Sequence, residues 1–222
     1  MPLVPPASPV GHGYAGAFVV FEGGDGAGKS TQLRLLWERL RDAGLDVVTT
    51  REPGGTPVGQ ALRQVLLHGE DLDPRAEALL FAADRAHHVT TVVRPALQRG
   101  AVVLCDRYVD SSLAYQGAAR DLDPAEIRSV SAWATGGLWP DLTVLLDVDP
   151  ALGRGRRAGE ADRVESETDS FHDRVRQAFL ELAAQQPGRY LTVDAADSIE
   201  AIHQAVAERA GDLVALPDRE SP

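Results

Sequence analysis

The sequence predicts an α/β fold in which helices cover both faces of a parallel β-sheet, giving three layers. Short apolar runs rich in β-branched residues alternate with longer helix-compatible segments. Several of these segments begin with an Asp-Pro pair, which supplies an N-cap and a proline in the first turn. Parallel strands joined by helical, right-handed crossovers account for the alternation.

The predicted elements follow one another without an internal repeat or a second domain. Five strands are predicted, at Phe18–Phe21, Asp46–Thr50, Ala101–Asp106, Leu142–Val148 and Tyr190–Val193. The predicted helices are Thr31–Arg41, Val58–Leu67, Arg75–Gln98, one from Pro124 to near Gly136, one after Asp149-Pro150, Ser170–Gln185 and Ser198–Arg209. We expect one domain over residues 17–213, with flexible tails at 1–16 and 214–222.

A glycine-rich turn joins the first strand to the first helix and carries the pattern G-x-x-x-x-G-K-S/T. In such a turn, backbone N–H groups and the helix N-terminus converge on phosphate oxygens. Lys29 is expected at the β- and γ-phosphates and Ser30 at Mg²⁺. The alternative is a glycine-rich connection that binds no ligand. The predicted ATP-binding residues are Gly23, Gly24, Asp25, Gly26, Ala27, Gly28, Lys29, Ser30 and Thr31.

Lysine usage supports the phosphate-binding interpretation independently. Lys29 is the only lysine in the chain, which otherwise uses arginine. A phosphate-binding turn needs a compact ammonium on a flexible stem, and a planar guanidinium cannot replace it. The single lysine therefore occurs where the chemistry forbids arginine.

Composition restricts the class of protein. The chain has 222 residues and a formal net charge of −11, which argues against a nucleic-acid or anionic-membrane surface. Cys105 is the only cysteine, so the sequence predicts no disulfide framework and the cytoplasm as compartment. No apolar window is long enough to span a bilayer. We therefore expect neither nucleic-acid nor membrane partners.

Charged residues stand at the ends of two predicted strands, where ligands bind in open α/β sheets. Arg51 is a candidate anion ligand, with a surface ion pair as the alternative. Asp106 ends a buried strand, as expected of a carboxylate associated with Mg²⁺ opposite the phosphate-binding turn. Phe81 and Arg85 share one helix face; taken alone, they indicate a core phenylalanine and an ion-paired arginine.

A cationic segment interrupted by glycines runs from Arg154 to Arg163. It is either a solvated charge run or a mobile lid that folds over transferred phosphates. The phosphate-binding turn favours the lid, which we expect to cover residues 154–168.

Several classes of phosphate-binding protein are excluded. Ras-type GTPases need an N/T-K-x-D motif and partition-type ATPases need a second lysine in the turn, but the chain has no further lysine. The LSGGQ-like signature of transport ATPases does not occur either. Because the fold alone does not decide function, this elimination matters, and it leaves a small kinase with a compact acceptor.

Four motifs, at Phe21–Thr31, Arg51–Thr56, Leu80–Arg85 and Asp106–Gly117, stand in order along the chain. Together they resemble bacterial thymidylate kinases, and the match runs from about Phe18 to Gly211. The resemblance implies a P-loop kinase fold and transfer of the γ-phosphoryl group of ATP to dTMP, giving dTDP and ADP. It also implies a homodimer and Mg²⁺ as cofactor.

The resemblance assigns roles to individual residues. The expected dTMP-binding residues are Asp25 (3′-hydroxyl), Arg51 and Arg107 (phosphate), Phe81 (stacking on thymine), Arg85 (carbonyl edge), and Tyr115 and Gln116 (sugar and base pocket). The expected catalytic residues are Lys29, Arg107, Arg154 and Arg156, and the expected metal-associated residues are Ser30 and Asp106. Arg163 matches a further lid position. Another lid arginine is expected near position 158, where the chain has Ala158 with Arg157 beside it.

Two other functions remain open from the sequence. A different nucleoside monophosphate kinase would be distinguished by the base that the Phe81 and Arg85 pocket accepts. A non-catalytic ATP-binding module would bind nucleotide without acceptor-dependent release of ADP.

Overall fold

The computed structural model describes residues 12–156 and 161–214 of the chain. In this part of the chain, five parallel strands form one sheet in the order β2-β3-β1-β4-β5. The strands are β1 (Phe18–Gly23), β2 (Val47–Arg51), β3 (Val102–Asp106), β4 (Leu142–Asp147) and β5 (Tyr190–Asp194). The prediction of a five-stranded parallel sheet is confirmed.

Helices connect the strands and pack on both faces of the sheet. They are α1 (Lys29–Asp42), α2 (Pro57–His68), α3 (Pro74–His88), α4 (Arg94–Gln98), α5 (Val109–Ser112), α6 (Pro124–Thr135), α7 (Pro150–Arg156), α8 (Asp169–Gln185) and α9 (Ile199–Gly211). A π-helical segment, Val89–Val93, joins α3 to α4, and another, Leu113–Ala119, extends α5. The helix predicted over Arg75–Gln98 thus has the right extent, but its hydrogen bonding changes midway.

The sheet separates two apolar cores. Phe18 and Val20 of β1 belong to the core beneath α3, α6 and α8, whereas Val19 and Phe21 belong to the core beneath α1 and α9. A strand buried on both faces is apolar throughout rather than alternating. This burial explains the continuous apolar run that precedes the glycine-rich turn.

The carboxyl ends of the central strands meet at one edge of the sheet. Phe21 of β1 pairs with Asp106 of β3, and Arg51 of β2 pairs with the same aspartate. On the other side of β1, Gly23 pairs with Leu146 of β4. The phosphate-binding turn, Arg51 and Asp106 therefore leave the sheet side by side.

Part of the segment predicted as an N-terminal tail contacts the domain. The Tyr14 hydroxyl accepts a hydrogen bond from Arg94, and the backbone N–H of Gly16 donates to the carbonyl of Leu97 at 3.0 Å. Residues 1–11 and 215–222, the rest of the predicted tails, lie outside the described residues. Among those the structure describes, no helix combines the length and apolar character needed to cross a membrane.

Candidate active site

The glycine-rich turn continues β1 directly into α1. Gly23, Gly26 and Gly28 have φ angles of 132°, 75° and 95°, a range that favours glycine. A Cβ atom on Gly26 would lie 2.2 Å from the carbonyl oxygen of Gly153 in α7. Glycine is thus required here for the backbone and for close packing, and the turn lies against the helix that carries Arg154.

Lys29 lies inside this turn and is 7% exposed. Its Nζ atom donates to the carbonyl oxygens of Gly23 at 3.0 Å and Gly24 at 2.9 Å. Burial and then the charge of Arg107 lower the pKa of the Lys29 ammonium, against the opposing charge of Asp106. Because both acceptors are neutral carbonyls, anionic phosphate oxygens can replace them as stronger partners.

Ser30 and Asp106 form a pair of oxygen donors at the carboxyl edge of the sheet. The Ser30 hydroxyl donates to Asp106 Oδ2 at 3.3 Å, while the buried Oδ1 atom of Asp106 has no hydrogen-bond partner. Mg²⁺ is usually held by one or two protein oxygens together with phosphates and waters. This orphaned carboxylate oxygen beside a hydroxyl fits such an ion.

Asp25, Arg107 and Tyr115 form a cluster next to the turn. Arg107 Nη2 donates to Asp25 Oδ1 at 2.5 Å, and the Tyr115 hydroxyl donates to Oδ2 at 3.4 Å. Burial opposes ionisation of Asp25, but the charges of Arg107 and Lys29 outweigh it and lower the carboxyl pKa to about 2. Asp25 is therefore a fixed anion that links the turn to the Arg107 guanidinium.

Cationic side chains line an open cleft in front of the turn. They are Lys29, Arg51, Arg63, Arg107 and Arg156. Arg63, which the sequence analysis did not identify, donates to the carbonyl of Pro53 at 3.0 Å. Burial and the charge of Arg51 lower the pKa of the Arg63 guanidinium. Two mutually repelling cations held in one cleft indicate a site for an anion.

A second cavity opens on the other side of Asp25 and Arg107. The predicted base-pocket residues all line it: Phe81, Arg85, Tyr115 and Gln116. Arg85 and Gln116 are buried, with 2% and 3% of their surfaces exposed. The structure thus brings together side chains that stand far apart in the sequence.

Buried carboxylates hold the two polar side chains of this cavity. Arg85 Nε donates to Glu52 at 2.6 Å, and Gln116 Nε2 donates to Glu77 at 2.9 Å. His88 contacts the other oxygen of Glu52 at 2.8 Å. Since both glutamates are at most 3% exposed, each side chain is oriented by a partner that solvent cannot replace.

Arg85 retains hydrogen-bonding capacity in this arrangement. Its Nη1 atom donates to the Ser112 hydroxyl at 3.1 Å, and Nη2 donates to the carbonyl of Tyr108 at 2.9 Å. A guanidinium carries five N–H groups. With three of them engaged by Glu52, Ser112 and Tyr108, two have no protein acceptor among the described residues, and the side chain lines the cavity.

The predicted lid arginines point to different places. Arg154 pairs with Asp169 at 2.7 Å and lines a small cavity behind the turn, whereas Arg156 donates to the carbonyl of Ala195 at 2.7 Å. Arg163 donates to Glu77 at 2.6 Å, the same carboxylate that holds Gln116. The lid positions 157 and 158 lie outside the described residues.

Sequence reasoning missed the segment after β5 and the buried carboxylates. Ala195, Asp197 and Ile199 line the cleft next to Arg156, but their residue types carry no signature of nucleotide binding. Glu22 did carry a signal, since it is a charged residue inside a buried, otherwise apolar strand. Such residues are rarely fully buried unless they are paired.

Comparisons with known proteins agree with this geometry. The thymidylate kinase family profile matches residues 21–206. A thymidylate kinase from Clavibacter sepedonicus is 59% identical over 204 residues, covering 90% of this chain and 97% of the relative. One from Bifidobacterium longum (strain NCC 2705) is 58% identical over 196 residues, covering 86% and 95%. The crystal structure of thymidylate kinase from Ehrlichia chaffeensis matches with a TM-score of 0.73 and 32% identity, covering 88% of this chain and 98% of that one.

Proposed function

Since the chain belongs to the thymidylate kinase family and catalyses the ATP-dependent phosphorylation of dTMP to dTDP, we propose how its site divides between the two substrates. The donor end consists of the turn Gly23–Thr31 with the neighbouring Asp106 and Arg156. The acceptor end consists of Asp25, Arg51, Arg107 and the base cavity. The observation that carries this division is that Asp25 and Arg107 line both cavities, so the two substrates meet there.

At the donor end, the phosphates of ATP lie on the N–H groups of the turn. Lys29 exchanges its carbonyl partners for the β- and γ-phosphate oxygens, a role suited to a flexible ammonium. Ser30 and Asp106 hold Mg²⁺, which neutralises charge on the phosphates when bound. The segment after β5, with Ala195, Asp197 and Ile199 in the cleft, flanks the nucleoside of ATP.

At the acceptor end, dTMP spans the base cavity and the cationic cleft. Phe81 stacks on thymine and Arg85 donates to its carbonyl edge with the N–H groups that the protein leaves free. Arg51 and Arg107 bind the phosphate, and Asp25 accepts from the 3′-hydroxyl. Tyr115 and Gln116 complete the sugar and base pocket, their positions supported by bonds to Asp25 and Glu77.

The reaction needs alignment and charge neutralisation rather than a strong base. The acceptor is a phosphate that is already ionised at neutral pH, so no proton has to be removed before attack. Arg107 lies between the two cavities and can orient the attacking oxygen. We propose that residues 154–168 close as a lid, so that Arg154 and Arg156 reach the charge that develops during transfer.

We further propose that the protein is a cytoplasmic homodimer. Val58 and Val65 lie two turns apart on α2 and are 50% and 45% exposed, and Leu79 on the adjoining α3 is 58% exposed. A second copy would remove these apolar side chains from water. The test is the molar mass in solution by light scattering, which should correspond to two chains and fall on Val65→Glu. A wild-type mass of one chain would contradict the dimer.

An acceptor panel tests the assigned base cavity. In a coupled ADP-release assay with ATP and Mg²⁺, dTMP should exceed dUMP, dCMP, dGMP and AMP. Loss of one methyl contact costs about 10–200-fold, so dUMP should be slow rather than inactive. A preference for AMP or dGMP would favour another nucleoside monophosphate kinase. Binding of ATP without acceptor-dependent ADP release would favour a non-catalytic module.

A further inference from the structure

Glu22 is a buried carboxylate that the donor and acceptor ends, as defined above, do not use. It stands in β1 directly before the glycine-rich turn and has 0% of its surface exposed. Its Oε1 atom accepts from the backbone N–H groups of Tyr108 at 2.8 Å and Ser111 at 3.1 Å. Its Oε2 atom accepts from the Ser111 hydroxyl at 2.6 Å. Burying a carboxylate is costly, so these bonds call for an explanation.

These hydrogen bonds come from Tyr108 in the turn that presents Arg107 and from Ser111 in α5, which follows the turn directly. Arg107 has a φ angle of 69°, a left-handed conformation that is unfavourable for a residue with a side chain. Its N–H donates to the carbonyl of Phe21 at 2.9 Å, and the next N–H, that of Tyr108, donates to Glu22. Phe21 and Glu22 of β1 therefore accept from the N–H groups of Arg107 and Tyr108, which hold the strained backbone of Arg107 from both sides.

The side chain of Arg107 is linked to Glu22 through Ser111. Because the Ser111 hydroxyl gives its proton to Glu22 Oε2, its oxygen lone pairs are free for another donor. Arg107 Nη1 donates to this oxygen at 3.1 Å, while Nη2 donates to Asp25. The carboxylate thus sets the direction of the hydroxyl, and the hydroxyl sets the plane of the guanidinium.

We propose that Glu22 is a positioning residue for phosphoryl transfer, which holds the Arg107 turn in its left-handed conformation and orients the guanidinium through Ser111. The proposal rests on the proposed role of Arg107 in binding the dTMP phosphate. Glu22 itself touches neither substrate, since it is enclosed behind the turn. Its effect should therefore appear in dTMP affinity and turnover but not in the affinity for ATP.

The electrostatic surroundings of Glu22 supply a distinctive readout. Burial and the charge of Asp110 raise the pKa of the Glu22 carboxyl to about 7, against the opposing charge of Arg107. The charge of Glu22 also acts on the pKa values of other ionisable groups. They are Lys29 of α1, Arg85 of α3, Cys105 of β3, Tyr115, Arg189, and Tyr190 of β5. The orienting carboxylate is therefore protonated progressively as the pH falls below about 7.

The same raised pKa predicts that Glu22 opposes folding at high pH. The folded-state pKa of about 7 lies above the unfolded value of about 4.3. The ionised form is thus disfavoured by folding, and this penalty grows as the pH rises from about 4.3 to about 7. Glu22→Gln removes the penalty, so its melting temperature at about pH 8 should equal or exceed that of the wild type.

The test compares Glu22→Gln and Ser111→Ala with the wild type, and uses Glu38→Gln in the exposed Arg34–Glu38 pair as the matched control. Titration calorimetry should show dTMP affinity reduced roughly tenfold in both variants, as for loss of a hydrogen bond to a charged group. ATP affinity should be retained in both variants, and the melting temperature should be retained in Glu22→Gln. The affinity ratio of wild type to Glu22→Gln should shrink as the pH falls below about 7; taking the ratio cancels the ionisation of dTMP itself.

Each remaining outcome decides between explanations. Unchanged dTMP affinity in both variants would overturn the proposal if Arg107→Ala weakens dTMP binding, because the arginine would then act without this support. If Arg107→Ala has no effect either, the assigned role of Arg107 fails. A lowered melting temperature with equal loss of ATP and dTMP affinity would make Glu22 a purely structural residue and would also overturn the proposal.

Discussion

The donor end and the acceptor end bind the same chemical group, a phosphate, but they are built in different ways. The donor end is built mainly on one continuous segment, Gly23–Thr31, whose backbone and single lysine supply the phosphate contacts, with Asp106 and Arg156 beside it. The acceptor end collects side chains from the glycine-rich turn, β2, α3 and the segments after β3. A binding site made from consecutive residues has its geometry set by local chain conformation, whereas a site made from dispersed side chains depends on what holds each of them.

Buried carboxylates provide that support at the acceptor end. Glu22, Glu52 and Glu77 are at most 3% exposed, and they hold Ser111, Arg85 and Gln116. Long polar side chains lose conformational freedom when they bind a ligand. When buried partners fix these side chains in the folded protein, their conformational entropy is lost during folding. Ligand binding then does not have to order them again. The two ends should therefore respond differently to substitution.

The largest effect is expected at the centre of the donor end. Lys29→Arg should lower kcat by about 10³-fold, because a planar fork cannot occupy a site built around a buried ammonium. The affinity for dTMP should change little, which isothermal titration can confirm. This chain uses arginine at every other Lys/Arg position, so near-normal turnover would refute the argument from its single lysine.

The next effect concerns stability and should be confined to the acceptor end. Glu52→Gln leaves the Arg85 guanidinium buried without its counter-charge, and should lower the free energy of unfolding by about 3–5 kcal/mol. The Arg34–Glu38 pair has the same 2.6 Å separation, but both side chains are exposed. Glu38→Gln should therefore cost only about 0–1 kcal/mol. Urea unfolding measures both, and equal losses would remove the distinction between buried and exposed pairs.

The lid arginines should separate turnover from binding. Arg154→Ala and Arg156→Ala should each lower kcat by about 10²-fold with dTMP affinity retained, because they act on charge that develops during transfer. Arg163→Ala is the matched control: its partner is Glu77, so it should weaken dTMP binding or stability instead. If both Arg154→Ala and Arg156→Ala kept wild-type turnover, either Arg157 would carry the catalytic role or the segment would be a solvated charge run.

The smallest effect is the pH dependence of Asp25. Its folded-state pKa of about 2 lies below the unfolded value of about 3.9, so the ionised form contributes roughly 2 kcal/mol above about pH 4. This contribution is lost as the pH falls toward 2. The stability difference between wild type and Asp25→Asn should thus be constant from about pH 5 to 8 and narrow below about 4. If the stability difference between wild type and Asp25→Asn narrowed near neutral pH, as expected for Glu22→Gln, Asp25 would not be the fixed anion described here.

The fold class and the donor end could be predicted from the sequence because both depend on neighbouring residues. Strand and helix periods, Asp-Pro helix starts and the spacing of Gly23, Lys29 and Ser30 are local properties. Only the tertiary structure decided the π-helical segments, the contacts of residues 12–16 and the partners at the acceptor end. Arg163 illustrates the limit: its charge and position match a lid, yet it bonds to Glu77, 86 residues away. An ion pair between distant residues depends on which surfaces pack together, and this packing cannot be inferred from the residue types along the chain.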